Sequence, residues 1–475
     1  MTDIPPTAPT LPGNSRFDWK TPAIIVGTIA LATLAYLFLP GDMNELAKRA
    51  VAIFIIAAIF WATEVIPLYA TSLCLVGLQV LLLAHNGGLA PADAGPDGGN
   101  LNFSVFFEPF ASPVIILFLG GFLLSAAVTK HALDRAIAAK VLDPFTRRPI
   151  LLIYGVMLIT AFFSMWMSNT ATTAMMLAIV APLLKQMSDD GKFHLAVILA
   201  VPTGANIGGI GTPIGTPPNA VALANLRRAG LEIGFLDWML VAVPLAVLLI
   251  AVAGVILYVM LPAGKGLSIP RLKHTEPVSL RGKITLGILV LTIGLWLTGS
   301  WHGINDAVIA LIAAALLTSL GMLNRRDVDS VDWNILILMW GGLALGNAMS
   351  QTGLVEYITE QPFIGQLQGI VLAAAVVLLA YGLSTFMSNT AAANLIIPMA
   401  LAFPAPGNVQ LVILTALACS FAMALPISTP PNAMAFATGR LPASTLLRVG
   451  GLISLIAVVV LLLGYQVMLP LVLEM

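Results

Sequence analysis

Apolar runs long enough to cross a bilayer recur along this chain from Ile24 to Leu473. A hydrocarbon core takes roughly 20 helical residues to span. Within it every backbone polar group must be satisfied by the chain, which leaves helices or closed barrels. Barrel strands alternate apolar and polar residues, whereas these runs are continuously apolar, so the chain reads as an all-α polytopic membrane protein. Only 9% of the 475 residues are charged and 59% are hydrophobic, against about 25% charged in soluble domains. Net charge is zero, which gives nucleic acid no electrostatic hold. Cys74 and Cys419 lie in apolar runs and read as small core residues, not a disulfide. The first twenty residues are Pro-rich and polar and read as a disordered tail with no cleavable signal.

Membrane elements are expected near 21–40, 47–64, 68–85, 104–129, 149–185, 194–228, 236–261, 284–300, 303–323, 334–349, 366–404, 408–436 and 446–472. Two of these, 149–185 and 366–404, are too long for one span, and each carries Ser-Asn-Thr at its middle. Both read as re-entrant helical hairpins with the triplet at the tip, which leaves eleven transmembrane helices. With the N-terminus cytoplasmic, 18 Lys and Arg fall inside and 4 outside. That positive-inside bias places the C-terminus outside.

Three matches in the same order divide the chain into two repeats. "FLGGFLLSAAVTKHAL" (118–133) aligns with "MWGGLALGNAMSQTGL" (339–354), "SMWMSNTATTA" (164–174) with "STFMSNTAAAN" (384–394), and "IGTPPNAVA" (214–222) with "ISTPPNAMA" (427–435). The expected order is a tail (1–20), a first helix (21–44), repeat 1 (45–262), a cytoplasmic linker (263–283) and repeat 2 (284–475). Repeat 1 contains the hairpin 149–185 and a broken helix 194–228; repeat 2 contains the hairpin 366–404 and a broken helix 408–436. Lys130, Arg135, Lys140, Arg147 and Arg148 follow the first Gly-Gly element, but Glu356 and Glu360 follow the second. The repeats therefore read as inverted, an arrangement that points to a secondary transporter with a site near the midplane.

The site must work without cationic side chains, because every Lys and Arg falls in an expected loop or surface element. Neutral dipoles remain. At the hairpin tips Asn169 and Asn389 offer an amide NH₂ to an anion and a carbonyl to a cation. Ser168, Thr170, Ser388 and Thr390 can do either. The second arm of each hairpin starts there, so free N–H groups and the positive helix end face the tip. "GIGTPIGTPPN" (209–219) and "LPISTPPN" (425–432) interrupt apolar helices, freeing carbonyls suited to Na⁺. Thr216 and Thr429 are then expected near the tips as substrate donors. Alone, either motif reads as a helix-packing patch or a kink; two copies of each, in register, point to a site. Gly120, Gly121, Gly341 and Gly342 read as close-packing residues, Trp61, Trp238 and Trp301 as interfacial anchors, and Glu64 and Asp306 as structural, hydrogen-bonded groups.

The paired triplets, the two "TPPN" breaks and "SMWMSNTAT" together resemble the divalent anion/sodium symporter (DASS) family, the INDY-type dicarboxylate carriers, from about Arg49 to the end. The resemblance implies a homodimer in which a scaffold domain carries a mobile transport domain by an elevator mechanism. It implies one Na⁺ with Ser164, Ser168, Asn169 and Gly215, and a second with Ser384, Met387 (through its carbonyl), Asn389 and Ser428. It implies substrate on the two triplets plus Thr216 and Thr429. The chain departs from the family at Ser384 and Ser428, where Thr and Ala are expected, and in "SFAMALPIS", where a Phe near Ala424 is common.

The expected function is sodium-coupled import of C4-dicarboxylates such as succinate, malate and fumarate across the cell membrane. A sodium-independent di- or tricarboxylate exchanger and a sulfate carrier stand as alternatives. An intramembrane enzyme lacks its inventory, since HExxH, G-x-S-x-G and buried paired aspartates are absent from the sequence. A receptor without transport would be separated by a flux assay.

Overall fold

The structure is a computed structural model that describes residues 19–90, 101–187, 192–264, 267–270, 278–361, 369–403 and 408–473. Among the described residues every regular element is helical. Seven helical segments are long and apolar enough to cross a membrane. Most of the expected tail, and much of the expected linker, lie outside the described residues. Where the linker is described, its end is already helix, because Ser279 caps a helix that starts at Leu280.

The longer helices, in order, are α1 (Lys20–Phe38), α2 (Glu45–Thr63), α3 (Leu68–Leu83), α4 (Pro113–Lys130), α5 (Pro149–Ser164), α6 (Asn169–Gln186), α7 (Lys192–Gly209), α8 (Pro217–Arg228) and α9 (Phe235–Met260). They continue with α10 (Leu280–Leu297), α11 (Asp306–Ser319), α12 (Trp333–Gln351), α13 (Gly369–Phe386), α14 (Asn389–Leu401), α15 (Asn408–Ser420), α16 (Pro430–Ala437) and α17 (Gly451–Leu473). The starts follow local chemistry. Asn44 and Ser112 accept from backbone N–H groups in the first turns of α2 and α4, and Pro opens α4, α5, α8 and α16.

After α1 the same order of elements occurs twice. In the first half a hairpin (α5, α6) precedes a broken helix (α7, α8) and a long helix (α9). In the second half a hairpin (α13, α14) precedes a broken helix (α15, α16) and α17. Packing repeats as well: α5 lies on α7 and α9 on both, while α13 lies on α15 and α17 on both. The four arms α5, α6, α13 and α14 have 16, 18, 18 and 13 residues. At 1.5 Å per residue they reach about 24, 27, 27 and 20 Å against a core about 30 Å thick. Of the four, only α13 is long and apolar enough to count as a span by itself.

The Gly-Gly helices exchange partners between halves. α4 packs on α11, and α12 packs on α3. A Cβ on Gly120 would stand 2.6 Å from the Cβ of Ala310, and one on Gly341 would stand 2.4 Å from the Cβ of Ser72. A Cβ on Gly342 would meet Asn394 at 1.9 Å, whereas Gly121 has ordinary contact at 3.4 Å with Ile214. Three of the four glycines thus serve close approach, as expected.

Three tryptophans were expected at the membrane interface, and only Trp301 stands exposed. Trp61 and Trp238 are buried and donate their indole N–H groups to the carbonyls of Leu68 and Ile210. Position near a span end does not decide where an indole points; an unpaired carbonyl nearby does. Cys419 is buried as expected, but Cys74 is exposed. A three-ring stack joins the first hairpin tip to α10: Trp166 and Phe235 lie 6.0 Å apart, and Phe235 and Trp296 lie 4.8 Å apart, nearly parallel.

Candidate functional site

The first triplet is a helix start. α5 ends at Ser164, and the hydroxyl of Ser168 accepts from the Ala171 N–H at 3.2 Å as the N-cap of α6. Asn169 is therefore the first residue of α6, at the positive end of its dipole. The Ser164 hydroxyl lies 2.5 Å from the side-chain oxygen of Asn169 and 2.8 Å from the carbonyl oxygen of Ala205. The Asn169 oxygen itself lies 3.2 Å from the carbonyl oxygens of Ala205 and Gly215. Four oxygens therefore converge with one hydroxyl proton among them. Turning the Asn169 amide brings its nitrogen to the Ala205 and Gly215 carbonyls and to Ser164 and satisfies the cluster without an ion; the oxygen-inward orientation is the one that would suit a small cation. A Cβ on Gly215 would come within 2.3 Å of the Gly209 carbonyl oxygen, and a Cβ on Gly209 within 2.5 Å of the Asn169 oxygen. Glycine keeps this cradle open.

The first break runs from residue 210 to 216, between α7 and α8. Its freed carbonyls are held by side chains. The Asn219 amide nitrogen lies 3.1, 3.2 and 2.8 Å from the carbonyls of Gly209, Ile210 and Thr212. Trp238 donates to Ile210 at 2.8 Å, and the Thr212 hydroxyl donates to the Met165 carbonyl in the hairpin turn. Tip and break are thereby tied together.

The second half repeats this with changes. Ser388 caps α14 by accepting from the Ala391 N–H at 3.2 Å. The Ser384 hydroxyl lies 2.8 Å from the Asn389 oxygen and donates to the Cys419 carbonyl at 2.6 Å. The Ser428 hydroxyl donates to the Thr385 carbonyl at 3.0 Å, so it fastens the break to the tip. Ser384 and Asn389 are brought together; Met387 is buried behind the tip, and Ser428 is committed to Thr385.

Between the tips lies a cavity of about 490 Å³. Ser168, Asn169, Thr170 and Thr216 line it from the first half, and Ser388, Asn389, Thr390 and Thr429 from the second. Gly215 and Ser428 also reach it, while Ser164, Ser384 and Met387 lie outside its lining. Its other wall is apolar, with Leu68, Phe118, Phe122, Ile335 and Leu338. The starts of α6, α8, α14 and α16 all border it, and among the described residues no Lys or Arg does. A larger cleft of about 780 Å³ between α1, α2 and α3 is nearly all apolar and lacks such convergence.

Four contributors escape a reading of motifs. The Ala205 and Cys419 carbonyls are main-chain groups, and only their shared relation to a tip serine marks them. Asn206 is buried and lines the cavity. Glu64 was expected as a structural, hydrogen-bonded group. It instead ends α2 in a left-handed conformation (φ 47°), exposed and lining the cavity. A non-glycine residue there is uncommon, and such residues gather at functional positions. The main-chain carbonyl of Asp306 accepts from the Trp296 indole at 3.0 Å.

The sodium:sulfate symporter transmembrane region, as a family, matches residues 19–473. A Staphylococcus saprophyticus protein described as sodium-dependent dicarboxylate transporter SdcS is 29% identical, covering 94% of this chain and 91% of that protein. An uncharacterized transporter of Haemophilus influenzae is 31% identical over 88% of this chain and 92% of its own length. Among solved structures, the Alcanivorax borkumensis YdaH transporter aligns with a TM-score of 0.56 at 15% identity, covering 85% of this chain and 96% of that one. Neisseria gonorrhoeae MtrF aligns at 0.52 and 13%, covering 92% and 96%. The two structural likenesses speak to the fold.

Proposed function

The chain belongs to the sodium:sulfate symporter (divalent anion/sodium symporter) family, and on that premise we propose that it imports C4-dicarboxylates such as succinate, malate and fumarate together with sodium. Its family and relatives are transporters, not enzymes. The observation that carries the reading is the polar cluster of Ser164, Asn169, Ala205 and Gly215, packed against a cavity bordered by four helix starts and, among the described residues, by no basic side chain. The Ser164 hydroxyl and the Ala205 and Gly215 carbonyls offer oxygens to a cation, and the Asn169 amide can add its own by turning. A dianion beside them asks for N–H and O–H donors and for the positive charge that Lys and Arg do not supply here.

Sodium at the first tip would be held by Ser164, Asn169, Gly215 and Ala205, with Ser168 alongside. At the second it would be held by Ser384, Asn389 and Cys419, with Met387 and Ser428 completing the set the resemblance implies. The two carboxylates of the substrate would meet the two triplets, Thr216 and Thr429, and its methylene body the wall of Phe118, Phe122 and Leu338. With sodium seated, hairpins and broken helices would move together as a transport domain against α3, α4, α11 and α12, an elevator motion in each protomer of a homodimer. The ratio of 18 inside to 4 outside basic residues supports a cytoplasmic N-terminus and an external C-terminus.

Radiolabelled succinate uptake into proteoliposomes tests this, with an inward Na⁺ gradient and with choline in its place. Uptake only with Na⁺ is expected. Uptake that ignores Na⁺ but needs internal dicarboxylate would make the protein an exchanger. Strong competition by sulfate would point to a smaller dianion.

A further inference from the structure

We propose that Asn206 is a positioning residue that fixes the Thr429 hydroxyl as a proton donor to the anion, so that the two poles of the cavity are unequal. The inference rests on the dianion reading above. Asn206, on α7, is 1% exposed and reaches from the first half into the second. Its amide nitrogen lies 3.2 Å from the Thr429 hydroxyl oxygen and 3.3 Å from the side-chain oxygen of Asn432.

The direction of these bonds follows from their neighbours. The Asn432 nitrogen donates to the Leu425 carbonyl at 3.0 Å, so the Asn432 oxygen faces Asn206 and needs a donor. Asn206 must therefore present its nitrogen. The Thr429 oxygen then accepts from Asn206 and, as the N-cap of α16, from the Asn432 N–H at 3.3 Å. A hydroxyl has two acceptor lone pairs and one proton. Both lone pairs are used, and among the described residues no acceptor takes the proton. Thr429 lines the cavity. What remains is an O–H that no described residue accepts, on a residue at the cavity wall, where a carboxylate oxygen of the dianion would accept it.

The first half has no such device. The tip serines pair Ala205 with Cys419, so the counterpart of Asn206 is Ser420. Ser420 bonds back to the Ala416 carbonyl of its own helix at 3.2 Å. Thr216, the counterpart of Thr429, makes no side-chain cap bond, and the Asn219 side-chain oxygen has no partner among the described residues. Thr216 is free to donate or accept; Thr429 is held as a donor. A hydrogen bond to a charged group is the strong kind, and one oriented before binding costs less to make.

A double-mutant cycle on succinate uptake tests this. Asn206→Ser is expected to raise the succinate KM about tenfold, the scale of one charge-assisted hydrogen bond, with kcat nearly unchanged. The rise in thermal midpoint on adding Na⁺ is expected to stay, which reports an intact fold and cation cradle. In a Thr429→Val background the same change should move KM by less than about twofold, because its target is gone. Asn206→Asp offers the hydroxyl an acceptor instead of a donor, so its raised KM should fall again as the pH is lowered and the carboxyl protonates. An unchanged KM in Asn206→Ser, or effects that multiply in the double variant, would overturn the proposal. Should the wild type take up sulfate and not succinate, the C4 reading fails, and the same cycle run on sulfate still decides the role of Asn206.

Discussion

The side-chain amide of Asn169 sits 2.5 Å from the hydroxyl of Ser164, across the turn that joins the two arms of the first hairpin. The same pair recurs at Asn389 and Ser384, 2.8 Å apart. In both, the serine also reaches the carbonyl of a second element, Ala205 or Cys419. Hairpin and broken helix are thus fastened at one oxygen, the point where a cation would be felt by both.

Ser164→Ala removes one oxygen of the first cluster without touching the cavity lining. The sodium half-saturation for uptake is expected to rise about tenfold, the scale of a bond of 1–3 kcal/mol to a charged group. The succinate KM at saturating Na⁺ should change little. Sodium titrations of uptake check this, and a succinate KM that moves more than the sodium constant would place Ser164 on the anion instead.

Gly215→Ala puts a Cβ 2.3 Å from the Gly209 carbonyl oxygen. Uptake should be lost, and the thermal midpoint should drop. Gly287→Ala, where nothing lies within 4 Å of the added atom, should leave uptake intact and raise the midpoint slightly, since alanine favours a helix by up to about 1 kcal/mol. Similar behaviour of the two variants would mean that the cradle is not tight.

Thr216→Val removes a hydroxyl from the free pole. We expect a several-fold higher succinate KM with an unchanged sodium half-saturation, and a smaller loss than Thr429→Val causes. Equal losses would argue that the two poles are alike.

The Lys130–Asp327 pair, 2.6 Å apart, ties the end of α4 to the segment before α12, and Asp327 lies in none of the candidate membrane spans. Burial alone would push the Asp327 carboxyl up, but Lys130 and the Asn324 N–H outweigh it and hold the group below its ordinary range. A depressed folded pKa means stability that is present above the unfolded value and lost as pH falls through the folded one. The thermal midpoint should therefore decline more in wild type than in Asp327→Asn as the pH is taken below about 4, by an amount near 1 kcal/mol or less for a pair this close to water. Parallel curves would remove the pair from the stability account.

Both hairpin tips are legible in the sequence, because a polar triplet in an apolar stretch is costly unless it is bonded. Its duplication with the TPPN breaks gives the register of the halves. Main-chain ligands are not legible: Ala205 and Cys419 contribute oxygens that any residue would carry. Asn206 escapes because one polar residue on a buried helix has the look of ordinary packing; its reach to Thr429 depends on how α7 and α16 meet. Glu64 escapes for a related reason. The left-handed turn that ends α2 and places Glu64 at the cavity wall leaves no mark in a non-glycine sequence. Trp61 and Trp238 show the converse error, in which position along a span is taken for position across it.

The exchanged glycine contacts have a consequence during synthesis. Gly120 on α4 finds its seat against Ala310, 190 residues later in the chain. At about 5–20 residues per second, the ribosome needs roughly 10 to 40 seconds to make that partner. Throughout that interval the small-residue groove of α4 lacks its final partner, and α3 waits still longer for α12. The first half of this protein therefore cannot complete its packing alone, and the two halves can close on each other only once α11 and α12 have been made.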